Sequence, residues 1–171
     1  MPLYMYKGEK IMRRYNSILF VCEDNTATSL MAECICKSMV ADQTVQIKSR
    51  GMVVLFPEPI NPKVEVVLVN HGLKVPERTA LMLDADDIDE NTLVLTMTIR
   101  QKKQILEEFE YTGNVYTLYG FIGDDMNMED PYGGTLVEYD SCFQTMFRVI
   151  KKIVVKLKKT YGLQDTETMV E

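Results

Sequence analysis

One thiol stands where covalent chemistry could be done. In Ile18 to Glu33, ILFVCEDNTATSLMAE, an apolar run ends at Cys22, a short polar loop follows, and a helical pattern begins. Strand, loop and helix N-terminus in that order gather backbone N–H groups and the positive end of a helix dipole around the sulfur. That arrangement binds anions and lowers a thiol pKa. Cys22 is therefore the first nucleophile candidate. The loop holds two acidic residues, Glu23 and Asp24, and no basic one. The other cysteines, at 34, 36 and 142, form no CxxC pair, and one histidine accompanies them, so zinc is not expected. Asp124, Asp125, Glu129 and Asp130 lie together before Pro-Tyr-Gly-Gly, late in the chain. Read alone, Asp130 is a turn residue before proline and His71 a helix-end histidine.

The elements that must position these groups follow from apolar periodicity. Ser17 to Cys22 is a short continuous apolar run, the mark of a strand buried on both faces. Leu30, Met31, Cys34, Ile35 and Met39 recur at helical spacing, with Glu33 and Lys37 one turn apart on the other side, which predicts an amphipathic helix from Ser29 to Val40. Val45 to Gly51 reads as a second strand, the proline-rich stretch to Asn61 as loop, and Pro62 to Asn70 as a helix stopped at Gly72. Lys74 to Leu83 is expected to be irregular and Asp84 to Glu90 an acidic turn. Thr92 to Thr98 predicts a third strand, Ile99 to Glu110 a helix with Ile105, Leu106 and Phe109 inward, and Val115 to Leu118 a fourth strand. Residues 119 to 134 read as loop. A long helix from Leu136 to Tyr161 carries Leu136, Tyr139, Phe143, Met146, Phe147, Ile150, Val154 and Leu157 as its stripe. Lysines 151, 152, 156, 158 and 159 read as a solvated helix end that offsets the dipole.

Strand and helix alternate throughout. The predicted fold is α/β: a three-layer sandwich with a four-stranded parallel sheet and helices on both faces, binding ligands beyond the carboxyl ends of its strands. A 171-residue chain suits one domain, here residues 17–162, after a partly ordered leader (1–16) and before a tail (163–171). Twenty-five acidic against nineteen basic residues give no basic face for nucleic acid. No apolar stretch is long enough for a membrane span or a secretory signal, so a reduced, cytoplasmic protein is expected.

The string V-C-E-D-N-T-A-T-S-L-M-A-E resembles the V-C-x-G-N-x-C-R-S-P-M-A-E of the low-molecular-weight protein tyrosine phosphatase family, with Cys22, Asn25, Ser29, Met31, Ala32 and Glu33 in register. Asp130-Pro131-Tyr132-Gly133 is similar to the family's D-P-[YF]-G, and Ser49 with Gly51 to its S-x-G. The resemblance covers residues 17 to 160. It implies a Cys22 nucleophile forming a phosphocysteine, Asp130 as general acid and base, and a phosphate loop of Glu23, Asp24, Asn25, Thr26, Ala27, Thr28 and Ser29. Within that loop Asn25 fixes the backbone and Ser29 donates to the thiolate, while Ser49 supports the loop and Tyr132 lines the pocket. It implies a phosphorylated protein or small phosphomonoester as partner, and no cofactor. Thr26 matches the family branch that prefers phosphoarginine.

The family's arginine does not carry over. Thr28 stands in its place, and threonine offers no bidentate cation to phosphoryl oxygens. Asp24 replaces a glycine, Ala27 the second cysteine, Leu30 a proline, and Glu77 the histidine of the family's H-K-x-R-Q stretch. Arg50, at the end of the second strand, is the only basic residue this reading places near the loop. The expectation is an inherited phosphatase site, strongly impaired or inactive. An active phosphatase and a non-catalytic interaction domain are the alternatives.

Overall fold

A computed structural model of the chain describes residues 4–6, 9–11, 15–41, 44–109 and 114–163. Ahead of the sheet, β1 (Tyr4–Tyr6) and β2 (Glu9–Ile11) pair as a short antiparallel ribbon.

The sheet has four parallel strands, β3 (Ser17–Cys22), β4 (Gln46–Gly51), β5 (Thr92–Thr96) and β6 (Val115–Thr117), in the spatial order β4-β3-β5-β6. Its centre is β3, whose residues from Ile18 onward are all buried, as the unbroken apolar run required. Between the strands run α1 (Thr28–Met39), α2 (Pro62–Asn70) and α3 (Ile99–Glu108), and after β6 come α4 (Leu118–Phe121) and α5 (Leu136–Thr160). Two apolar clusters, one on each face of the sheet, make this the expected three-layer α/β sandwich. The larger contains Phe20, Leu30, Leu68 and Ile150, the smaller Leu19, Val21, Val94 and Ile105. None of the described helices is long and apolar enough to cross a membrane.

Several elements depart from the sequence reading for identifiable reasons. α1 is not amphipathic over its first turns, because Thr28 to Cys36 are all buried between the sheet and α5. Its polar residues face partners, not water. β5 stops at Thr96 because the Thr98 hydroxyl accepts from the Gln101 N–H while the Gln101 side chain reaches back to Thr98 N, a capping box that starts α3. α3 ends at Glu108, and Glu110 lies outside the described residues. Leu118, read as strand, opens the four-residue α4 within a stretch read as loop, with Thr117 as its cap. On α5, Leu136 and Phe147 are exposed although they follow the stripe, and Val149 and Ile153 are buried instead. Lys156 is not a solvated end group: its ammonium donates to the Phe121 carbonyl at 2.6 Å and sits 4.4 Å above the Phe121 ring.

Candidate functional site

The C-terminal ends of β3 and β4 meet at Cys22 and Gly51. From there residues 22–28 turn into α1, and their carbonyls are tied outward. Met52 N donates to Cys22 O (2.9 Å), Val53 N to Glu23 O (2.9 Å), Asn61 N to Thr26 O (3.0 Å) and Met31 N to Ala27 O (2.9 Å). With carbonyls facing the walls, the N–H groups turn toward the concave side, where Asn25 N–H points at Cys22 Sγ at 3.3 Å. Asn25 has φ 61°, the only positive φ outside glycine among the described residues, and such a left-handed residue makes successive N–H groups converge. The close approach of β4 depends on Gly51. A Cβ there would lie 2.8 Å from the Asp24 carbonyl carbon and 3.0 Å from Asn25 N, so any side chain would push the loop out.

Asn25 is 1% exposed and its amide is fully used. Nδ2 donates to Ser29 Oγ (2.8 Å) and Ser49 Oγ (2.9 Å), and Oδ1 accepts from Leu81 N and Arg78 Nη1, each at 3.0 Å. The Cys22 thiol donates to Ser29 Oγ at 2.9 Å, and when the sulfur is ionised the Ser29 hydroxyl can turn its proton to it, which favours the thiolate. Ser49 Oγ accepts from Asn25 and from Arg78 Nη2 (2.8 Å), and donates to Glu33 Oε1 at 3.1 Å. Arg78 Nη2 also meets Glu33 Oε1 at 3.1 Å, and Lys37 covers Oε2 at the same distance.

Asn25, Ser29 and Ser49 are thus linked to one another by hydrogen bonds, and Arg78, which the sequence reading did not name, joins them. The sequence reading put Glu77 in the family histidine's position and named Arg50 as the one nearby cation. Glu77 is exposed, and Arg50 turns aside to Asp87 Oδ2 (3.2 Å) and to the Ser49 carbonyl (2.7 Å). Arg78 reaches the underside of the loop from an irregular segment whose local pattern carries no such signal.

The mouth of the loop is acidic. Asp24 Oδ1 accepts from Thr26 N (3.0 Å) and Thr26 Oγ1 (2.9 Å), and Glu23 at the rim pairs loosely with Arg100 at 3.8 Å. Thr28 is 1% exposed, and its hydroxyl finds no hydrogen-bond partner among the described residues. It lies near enough to Cys22 to favour the thiolate weakly. Burial outweighs that help, and that of the Ser29 hydroxyl and the loop N–H groups, so the Cys22 thiol is pushed above its ordinary range.

Asp130 sits on the loop that returns to the sheet through Met128 N donating to Met97 O (2.8 Å). Lys63, on α2, holds the same loop at the Gly134 carbonyl. Although Asp130 is an exposed residue, its carboxyl is raised above the usual carboxylate range, first by lost solvent and then by the charge of Asp24. That interaction places Asp130 within electrostatic reach of Asp24. Tyr132 is 86% exposed beside it. His71, apart from this group, meets Asp140 at 2.7 Å and stacks on Phe143 at 4.1 Å, joining α2 to α5.

Behind the loop, Cys34 and Cys36 are pushed by burial from 9.0 to about 11 and about 12. The folded state therefore holds these protons more tightly than the unfolded chain. Their contribution is complete below about pH 9 and is lost as pH rises toward 11–12. Unfolding free energy followed against pH should stay level near neutrality and fall by a few kcal/mol, roughly, above pH 9. Cys36→Ala should flatten the decline.

The family model described as low molecular weight phosphotyrosine protein phosphatase matches residues 17–163. A low molecular weight protein-tyrosine-phosphatase, PtpB, from Staphylococcus haemolyticus is 32% identical over 136 residues, covering 80% of this chain and 96% of its own. Among solved structures, a YwlE mutant from Bacillus subtilis is similar with TM-score 0.78 and 27% identity, covering 84% of this chain and 99% of that one. YwlE arginine phosphatase from Geobacillus stearothermophilus has TM-score 0.76 and 30% identity, covering 84% and 93%.

Proposed function

Because the chain belongs to the low molecular weight phosphotyrosine protein phosphatase family, we propose that it keeps this family's phosphate cradle with phosphomonoesterase activity strongly reduced. One observation carries the reading. Among the described residues, the only arginine hydrogen-bonded to the loop is Arg78, and it spends its donors below the loop, on Asn25, Ser49, Glu33 and the Thr79 carbonyl. Where a guanidinium would clasp phosphoryl oxygens, Thr28 presents a short, unpartnered hydroxyl. Phosphoryl transfer rests almost wholly on positioning and charge, so this loss falls on the rate itself.

In the residual reaction, the Cys22 thiolate attacks phosphorus and the leaving atom departs with the proton of Asp130. The Asp130 carboxylate then takes a proton from water, whose oxygen attacks the phosphocysteine and frees phosphate and the thiolate. Asp130's raised carboxyl suits the donor role, and the raised Cys22 thiol works against the attacking form. Asn25 and Ser29 orient the sulfur.

A second reading, activity on phosphoarginine, is favoured by the acidic mouth. A guanidinium leaving group would meet Asp24 and Asp130 with opposite charge, and Thr26 agrees with that branch. Turnover of an aryl phosphate and of phosphoarginine by the native protein and by Cys22→Ser tests both. We expect aryl phosphate kcat/KM about 10²–10³ below that of an arginine-bearing relative, the scale of one lost oxyanion donor, with the remainder abolished in Cys22→Ser. Family-like aryl phosphate rates lost in Cys22→Ser would overturn the impaired reading. Efficient turnover of phosphoarginine alone would select the second.

A further inference from the structure

Resting on the cradle reading above, we propose that Asp24 is a resident anion of the loop: its carboxylate occupies donors that a phosphoryl oxygen would use and sets which oxyanions the loop admits.

The outward-tied carbonyls of Cys22, Glu23, Thr26 and Ala27 leave the N–H groups on the inner side of the loop. Asn25's left-handed backbone brings its own N–H and that of Thr26 toward one concavity. The first of these faces Cys22 Sγ. The second, with the Thr26 hydroxyl, is taken by Asp24 Oδ1. A charged acceptor with two donors is a strong local ligand, stronger than water in the same place. A turn made by Asp24 on an ordinary surface would satisfy the same two bonds, but three features distinguish this one. Asp24 is partly open to solvent, and its charge is felt at Asp130, so the two carboxylates lie within electrostatic reach of each other. The Thr28 hydroxyl is buried near Cys22, where it favours the thiolate, and completes no hydrogen bond among the described residues. No described cation hydrogen-bonds to Asp24. The loop is therefore half filled by the chain's own carboxylate, and its remaining donors face an incoming ligand across that charge.

An incoming oxyanion must displace Asp24 from Thr26 or share the space with it. Either route costs the interaction energy of a charge-assisted hydrogen bond, so inorganic oxyanions should bind weakly, and removing the carboxylate should tighten them by about 10- to 100-fold.

Tungstate titration by calorimetry, on the native protein, Asp24→Asn, Asp24→Gly and Thr28→Arg, provides the test. Asp24→Asn keeps an oxygen acceptor for Thr26 while deleting the charge, and so separates the anion from any loosening that glycine brings. Tighter tungstate binding in both Asp24 variants, with the Thr26 amide resonance moving in Asp24→Asn, is the expected result. Unchanged binding in both Asp24 variants with tighter binding in Thr28→Arg would overturn the resident anion and leave the cradle reading intact. No binding by any of the four proteins overturns both. A gain in Asp24→Gly alone points to loop freedom and also overturns the proposal.

Discussion

Thr28→Arg is expected to raise aryl phosphate turnover by at least about 10²-fold over the native protein, the scale of a restored charged donor in phosphoryl transfer. The position favours the exchange. Thr28 opens α1, where a side chain projects beside the helix N-terminus, and its hydroxyl makes no hydrogen bond among the described residues whose loss would set against the gain. Two of the remaining parts already have usable geometry, Cys22 2.9 Å from Ser29 Oγ and the Asn25 N–H on the sulfur, and the Asp130 carboxyl is raised. Asp24 works against the gain, because its carboxylate would pair with the introduced guanidinium and turn it from the ligand. The double variant with Asp24→Gly should therefore exceed the product of the two single effects, since neighbouring charges do not act additively. Steady-state hydrolysis with Cys22→Ser as the blank decides it. Single and double variants that both stay at the blank would show that the missing charge is not what holds the native protein back.

The second large effect concerns stability. Arg78→Met should cost about 2–4 kcal/mol, below the 3–5 of a fully buried broken pair because the guanidinium is 22% exposed, whereas the Glu33 carboxylate is only 4% exposed. Methionine keeps the stem's packing but strands Glu33 with Ser49 and Lys37, and leaves Asn25 Oδ1 with Leu81 N alone. In a protein of this size, that corresponds to a Tm lowered by roughly 5–15 °C. Denaturant unfolding of Arg78→Met, Glu33→Gln and the pair should give a coupling energy above about 1 kcal/mol. A cost under about 0.5 kcal/mol with unmoved Asn25 amide signals would mean that the loop holds its shape without Arg78.

The parts of this molecule that could be read from the chain are those where neighbours in sequence are neighbours in space. β3 and β5 are unbroken apolar runs, α2 starts on Asn61-Pro62 and ends before Gly72, and the loop motif carries its own residues in order. The reading failed where a partner came from elsewhere. α1 looked amphipathic because Glu33 and Lys37 stand opposite an apolar stripe, but Glu33 is buried and paired with Ser49 and Arg78, brought by tertiary contact. Arg78 lies 53 positions from Asn25, in a stretch without regular structure, and no periodicity points to it. Phe147 and Leu136 fit a stripe drawn on an ideal helix, yet the core reaches only part of α5's face. Family likeness supplied the roles expected of the loop residues, and led to Glu77 where the structure has its neighbour Arg78 at the loop.

The bonds among Asn25, Ser49, Glu33 and Arg78 bear on how such a protein ages. Each of the four holds groups that would otherwise be buried without partners, so a change at any one of them is costly while the others remain. At the rim and mouth, where Glu23, Asp24 and Tyr132 meet solvent, changes cost the fold little. Random substitution can therefore strip a site of its chemistry one residue at a time while the shape beneath is entrenched. On the reading proposed above, this chain stays a few substitutions from the reaction its frame was built to perform.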